Sequence, residues 1–123
     1  MKFEKTEHLV KRGKGFNILI IHDYSEILNE HSWCLYVLIF PSHPLYEEAC
    51  KNTRSYDTDL GDKIYPNFHC GCTYYDKQST YVKIGCDYMH VGDEELWHES
   101  TMPAQVDLDA EELYEYFDNY QSK

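Results

Sequence analysis

Two short segments hold most of the side chains that could do chemistry. Residues 67–75 read NFHCGCTYY, and residues 84–94 read IGCDYMHVGDE. Imidazoles and carboxylates in one cluster bind divalent transition metals, and they also form hydrogen bonds with ribose, phosphate or amide groups. The D-x-x-H-x-x-D spacing in the second segment, together with the histidine of the first, therefore predicts a ligand-binding site. Its central residues are His69, Asp87, His90 and Asp93.

The first functional reading of this cluster is a pocket for a small polar molecule, such as a nucleotide derivative, or for a metal ion. Gly71 and Gly92 would let the backbone approach the ligand closely, because glycine has no side chain. Tyr74 would line the edge of the pocket. The structural alternative is that each Asp stabilises a turn and each His lies at the core boundary with its hydrogen bonds satisfied.

Metal chemistry is a second reading of the same residues. His69, Asp87 and His90 would be the ligands of a divalent metal. Asp93 would then be the base that activates a water molecule, which would make the protein a metal-dependent hydrolase.

The cysteines allow a structural zinc site. Its ligands would be Cys70, Cys72, Cys86 and His90. Structural zinc sites usually have paired C-x-x-C-like knuckles, which this chain lacks, so the pattern favours buried core thiols over a metal. Because alternate residues of a strand share a face, Cys70 and Cys72 should point to the same side.

The strands that would position these residues follow from runs of apolar side chains. Residues 16–22 and 33–40 are typical of buried strands, and the second of these runs predicts the centre of a sheet. Residues 68–75 and 80–88 predict a hairpin. The chain of 123 residues is long enough for one domain with its own core, so we predict a single domain over residues 1–123.

Helices are predicted at three places, and the clearest is at residues 107–120, where apolar side chains recur at helical spacing. Residues 23–31 and the segment that begins at Pro44 predict short helices. The polar residues 51–67 predict a long loop. The predicted fold class is therefore α+β: a small, mainly antiparallel sheet with short helices and a C-terminal amphipathic helix on one face.

Charge is unevenly distributed along the chain. Residues 1–15 form a basic segment with five Lys or Arg and two Glu, a net charge of +3, and the other residues carry −14, which gives the total of −11. Such a chain should not bind nucleic acid directly. It would instead bind a cation or dock on a basic protein surface. The structural alternative is a solvated face that keeps the protein soluble. The residues predicted to form this acidic face are Glu94, Glu95, Asp109, Glu111, Glu112, Glu115 and Asp118.

The sequence also indicates a compartment. No apolar leader precedes the first predicted strand, and no apolar run is long enough to span a membrane. Five cysteines without an export signal favour a reducing cytosol. We therefore predict a cytoplasmic protein without a membrane partner.

Three segments, taken together, resemble a family of small proteins from bacteriophages and mobile elements. They read WCLYVLIFPSHPLYEEAC, HCGCTYY and IGCDYMHVGD, in the order of that family's motifs. Cys70 replaces the first glycine of a glycine pair in the family, and Cys86 replaces an aromatic residue. The resemblance implies a phage-encoded accessory protein in the cytoplasm of the host, with counter-defence as its expected role. It adds no activity.

The resemblance also adds His43 to the ligand-binding set, because His-Pro-Leu-Tyr is one of the family's motifs. In the phage setting the acidic face suggests an alternative function. The protein would be an inhibitor that imitates the charge of DNA, as anti-CRISPR proteins do, and its partner would be a basic host or defence protein. The remaining histidines, His8, His22, His31 and His98, show no constellation and are predicted to lie at the surface.

Overall fold

The computed structural model describes residues 5–90, 93–98 and 100–120. Within these ranges the chain forms five strands, three α-helices and one 3₁₀ helix. The strands are β1 (Lys5–Arg12), β2 (Phe16–Ser25), β3 (Glu30–Ile39), β4 (Tyr74–Lys77) and β5 (Val82–Asp87). The helices are α1 (Tyr46–Ala49), α2 (Thr58–Ile64), the 3₁₀ helix (Glu94–His98) and α3 (Ala104–Asn119).

The five strands form one sheet in the order β1-β2-β3-β5-β4, and every neighbouring pair is antiparallel. The central strand is β3, as the apolar run at residues 33–40 predicted. The long connection from β3 to β4 contains α1 and α2. With the C-terminal helix α3, this arrangement confirms the predicted α+β class.

One face of the sheet builds the core. Side chains alternate along a strand, so Phe16, Ile18 and Ile20 of β2 all point to the side where α3 packs. The helix faces them with residues spaced at about one helical turn. Those buried residues are Val106, Ala110, Leu113 and Phe117. No helix in the described part of the chain is long and apolar enough to cross a bilayer.

Residues 23–31 do not form the predicted helix. β2 continues to Ser25, the chain turns, and β3 begins at Glu30. Asn29 in the turn has a φ of 50°, a left-handed conformation that Asn tolerates better than most residues. The polar spacing of this segment suits both a helix surface and a hairpin end, and the strand pairing decides between them.

Three further boundaries differ from the prediction. Part of the basic N-terminal segment is strand β1, which pairs with β2 along its whole length, while residues 1–4 lie outside the described ranges. The predicted loop at residues 51–67 contains α2, whose first turn is capped by Asp57 accepting a hydrogen bond from the Leu60 N–H. α3 begins at Ala104, three residues before the predicted start at 107, after Pro103.

Candidate functional site

The centre of the candidate site is the pair of His69 and Asp93. His69 lies in the loop before β4, and Asp93 directly precedes the 3₁₀ helix. The Nε2 atom of His69 lies 2.9 Å and 3.0 Å from the two carboxylate oxygens of Asp93. Because a carboxylate only accepts, Nε2 carries the proton of His69. The Asp93 side chain also accepts from the backbone N–H of His90 at 3.0 Å, so this buried carboxylate joins two segments of the chain.

The second pair is His90 with Asp87, at the end of β5. His90 Nε2 lies 3.2 Å from Asp87 Oδ1. That nitrogen is nevertheless buried and makes no aligned hydrogen bond with a residue that the structure describes, so its contact with Asp87 is electrostatic. Asp87 accepts instead from the Met89 N–H and the Thr73 hydroxyl. His90 Nε2 is therefore a buried nitrogen with unused hydrogen-bonding capacity.

Tyr88 connects these pairs to α3. The ring of His69 stacks on the Tyr88 ring with centroids 4.6 Å apart, and the Tyr88 hydroxyl donates a 2.6 Å hydrogen bond to Asp109. Burial of the phenol, and the hydrogen bond to Asp109, raise the pKa of Tyr88. Trp97 donates from its indole nitrogen to the Tyr88 carbonyl. The structure thus brings His69, Asp87, His90 and Asp93 together, and we call these four residues the His/Asp network.

The predicted metal sets are not formed. Among residues 5–90, 93–98 and 100–120, no group of three or more His, Cys, Asp or Glu side chains is arranged to hold a metal ion. His69 and His90 point at two different carboxylates, so His69, Asp87 and His90 do not converge on one point. The zinc set of Cys70, Cys72, Cys86 and His90 is not formed either. Cys70 is exposed, whereas Cys72 and Cys86 are buried.

All five cysteines are free thiols. Cys86 is buried under the His69 loop, and burial strongly raises the pKa of its thiol. Burial also raises the pKa of the Cys72 and Cys34 thiols. Because the thiolate is the reactive form, these three thiols are unreactive, and Cys72 and Cys86 belong to the core. Cys70 alone is exposed, so the prediction that Cys70 and Cys72 point to the same side is wrong.

The reason is the backbone of the loop. Residues 68–73 do not continue β4, which begins only at Tyr74. Cys70 and Gly71 have φ values of 57° and 87°, and the Gly71 N–H closes a turn onto the Phe68 carbonyl at 2.8 Å. Two consecutive left-handed residues reverse the chain, and glycine adopts this conformation more easily than cysteine does. Gly71 therefore shapes the loop that carries His69. Gly92 lies outside the described residues.

His43 does not belong to the network. It is 4% exposed and lies between β3 and α1. The Leu45 N–H donates to His43 Nδ1 at 3.1 Å, so Nε2 carries the proton and donates to the Phe117 carbonyl at 2.9 Å. His43 thus ties its loop to the last turns of α3, whose carbonyls have no partner within the helix. Its predicted role in ligand binding is corrected to a structural one.

Tyr74 also lies away from the network. Its ring packs edge-on against Tyr36 of β3 and against Tyr56. The Lys83 ammonium lies 5.2 Å from the centroid of the Tyr74 ring. These contacts place Tyr74 on the sheet face opposite to α3, so it does not edge a pocket at His69.

A groove lies between α3 and the segment that follows α2. Its volume is about 600 Å³, and no Lys or Arg among residues 5–90, 93–98 and 100–120 lines it. The lining consists of Tyr65, Asn67, Glu112, Glu115, Tyr116, Asn119 and Tyr120. Tyr65 is 3% exposed, and burial together with the charges of Glu112 and Asp109 raises its pKa to about 12. We call this cavity the acidic groove.

The predicted acidic face divides into two parts. Glu94 and Glu95 of the 3₁₀ helix are exposed, and so are the outer residues of α3, Glu111, Glu112, Glu115 and Asp118. None of those four α3 carboxylates forms an ion pair with a residue that the structure describes. Asp109 differs, because it accepts hydrogen bonds from Tyr88 and Gln105 and is half-buried. It belongs to the interior rather than to the docking surface.

Sequence reasoning missed a second histidine cluster at the hairpin end of the sheet. His22 is 6% exposed, and its Nε2 lies 2.7 Å from His31 Nδ1. The prediction that His22 lies at the surface is therefore wrong. A predicted hairpin at residues 23–31 would have revealed this cluster. In that hairpin His22 pairs across the strands with Trp33, and Tyr24 pairs with His31.

No protein-family model, curated protein or solved structure matches this chain. The resemblance to small phage and mobile-element proteins accordingly stays a prediction.

Proposed function

We propose that the protein is a binding module that docks on a basic segment of another protein through the acidic groove and the outer surface of α3. The observation that carries this proposal is the composition of the groove. Two carboxylates and three tyrosine rings line one cavity of about 600 Å³, and the described part of the chain contributes no neutralising Lys or Arg to it. Carboxylates together with aromatic faces attract an ammonium or a guanidinium group.

The charge around the groove supports the same partner. Residues 84–122 contain eleven Asp and Glu and no Lys or Arg. Glu111 and Asp118 extend the negative surface along α3. A field of one sign steers an oppositely charged partner and raises its association rate, and salt weakens this effect. Arginine is the favoured entering side chain, because its flat guanidinium can stack on a tyrosine ring and bind a carboxylate with two hydrogen bonds.

The phage setting implied by the resemblance suggests what this docking is for. A host or defence protein that handles DNA or RNA has a channel rich in Arg and Lys. Occupation of that channel by the acidic surface would exclude nucleic acid, which is the counter-defence role we propose. The expected compartment is then the cytoplasm of the host.

A hexa-arginine peptide tests the proposal in isothermal titration calorimetry. The double variant Glu112→Gln and Glu115→Gln should weaken binding about tenfold, since it removes two charge-assisted contacts. The matched control is Glu26→Gln with Glu47→Gln, which removes the same charge from exposed sites outside the groove. Equal losses for the two double variants would mean that the peptide responds to net charge alone, and the groove proposal would be wrong.

The His/Asp network is a second candidate, for a small polar ligand. It is favoured by His90 Nε2, which is buried beside the imidazole of His69 and has no hydrogen-bond partner among the described residues. Such a nitrogen is a natural partner for a hydroxyl or phosphate group. Protein denatured after purification should release the molecule, and the His90→Phe variant should release none. If the wild-type protein also releases nothing, the network is structural.

A further inference from the structure

A second set of titratable groups, Glu7, His22 and His31, lies at the hairpin end of the sheet and takes no part in the proposed docking. It lines a cavity of about 310 Å³ together with Tyr24 and Ser100. The two imidazoles are joined by the 2.7 Å contact between His22 Nε2 and His31 Nδ1. Their ring planes differ by only 26°, with centroids 4.9 Å apart, so the bond runs nearly in the plane of both rings. We call these three residues the Glu–His–His array.

The neighbours of the array determine where its protons lie. His22 Nδ1 faces the Glu7 carboxylate at 3.4 Å, which favours a proton on Nδ1. Nε2 of neutral His22 must then accept, and His31 donates from Nδ1. The ring of His22 lies flat on Trp33, with a centroid distance of 3.9 Å and an interplanar angle of 3°, so it cannot turn without breaking this stack.

The array can take one proton without losing its hydrogen bond. A proton added to His22 lets that ring donate to His31, and the positive charge then lies 3.4 Å from the Glu7 carboxylate. A second proton removes the last acceptor, since two N–H groups then face each other at 2.7 Å and two positive charges meet. The array is therefore stable with no proton or one added and unstable with two.

The groups around His31 make the second proton still less favourable. Tyr24 packs on its ring at 4.5 Å, and His98 of the 3₁₀ helix acts on it as a further positive charge when protonated. Burial, and then the charges of His22 and His98, lower the pKa of His31. The acceptor side of the array is supplied by Glu7 of β1, whose side chain is largely exposed.

We propose that the Glu–His–His array is a proton switch: its second proton separates His22 from His31 and loosens the hairpin end of the sheet. Tyr24 packs on the His31 ring and donates from its hydroxyl to Asn29 in the turn, so movement of His31 reaches the turn through Tyr24. The switch is independent of whether α3 docks on a partner, because it depends only on contacts within the hairpin end.

Histidine-labelled full-length protein tests the switch by long-range ¹H–¹⁵N correlation between about pH 8 and about pH 4.5. At the upper end, His22 and His31 should both carry their proton on Nδ1. On acidification the pair should titrate in two steps, with the second about one pH unit or more below the first, because strongly interacting sites share macroscopic steps. The amide signals of Tyr24 and Asn29 should move with the second step.

Two variants test whether the two titration steps come from the contact between His22 and His31. In His31→Gln, His22 should titrate in a single step, and the coupled movement of the Tyr24 and Asn29 amides should disappear. His8→Gln removes an exposed histidine from the same end of the sheet and should leave both steps unchanged. Independent titration of His22 and His31 with the midpoint of His8, or a proton on Nε2 of neutral His22, would overturn the proposal.

Discussion

The two histidine clusters differ in how many carboxylates serve each imidazole. In the His/Asp network, His69 and His90 each have an aspartate of their own. In the Glu–His–His array, two imidazoles bond to each other and only one faces a carboxylate. An imidazole with its own carboxylate can hold a proton independently of its neighbour, whereas two bonded imidazoles compete for protons. The first arrangement fixes chain segments, and the second couples protonation to structure.

The largest expected effect is in the His/Asp network. Asp93→Ala should lower the free energy of unfolding by about 3 kcal/mol, because it leaves the His69 imidazole and the His90 N–H without their buried acceptor. Urea denaturation at neutral pH measures this. Asp118→Ala is the control, since Asp118 is exposed on α3, and it should change the free energy by less than about 0.5 kcal/mol. Similar values for both variants would show that the network does not hold the loop.

The second largest effect is the loss of stability in acid that His31 of the Glu–His–His array should cause. The pKa of His31 is lowered in the folded protein, so the unfolded chain takes up this proton first, near the ordinary value of 6.5. The free energy of unfolding is therefore at its full value above pH 6.5 and falls as the pH drops from there towards the lowered pKa of the folded state.

Urea denaturation at several pH values checks this slope. His31→Gln should make the stability less dependent on pH in this window, because glutamine does not titrate. A wild-type protein that gains stability between pH 6.5 and pH 5 would contradict the lowered pKa of His31.

The smallest expected effect comes from the two left-handed residues near the clusters. Cys70 lies in the loop of His69 with a φ of 57°, and Asn29 lies in the turn between β2 and β3 with a φ of 50°. Cys70→Gly should stabilise the fold by about 1 kcal/mol, since a left-handed conformation is costly for a residue with a Cβ. Asn29→Gly should stabilise less, because Asn tolerates this conformation and accepts a hydrogen bond from Tyr24. Thermal denaturation of the two variants compares their stabilities. A larger gain for Asn29→Gly than for Cys70→Gly would contradict the prediction.

The parts of the fold that sequence could predict are those with a strong local pattern. Strand β3 and helix α3 follow from apolar runs and helical spacing. Strand β1 was missed because its residues KTEHLVKR are mostly polar, and it is held by pairing with β2. α2 was missed although Asp57 is a suitable cap, because Gly61 and the surrounding polar residues suggest a loop.

The two histidine clusters differ in the same way: a local sequence pattern predicts one of them, and the other depends on strand pairing. Asp87, His90 and Asp93 lie three residues apart, so a turn at the end of β5 brings them together, and spacing alone indicated this. His22 and His31 meet only because a hairpin turn replaces the predicted helix, and Glu7 joins through the separate pairing of β1. His43 was misassigned because a motif does not show which way a side chain points.

The most direct test of the central claim is to map where a basic peptide binds. Titration of ¹⁵N-labelled protein with hexa-arginine should shift the amide signals of Asn67, Glu112 and Tyr116 first, because they line the acidic groove. The amides of Glu26 and Glu47 should stay in place. Shifts spread evenly over the acidic surface, or concentrated away from Asn67, Glu112 and Tyr116, would contradict docking through the groove.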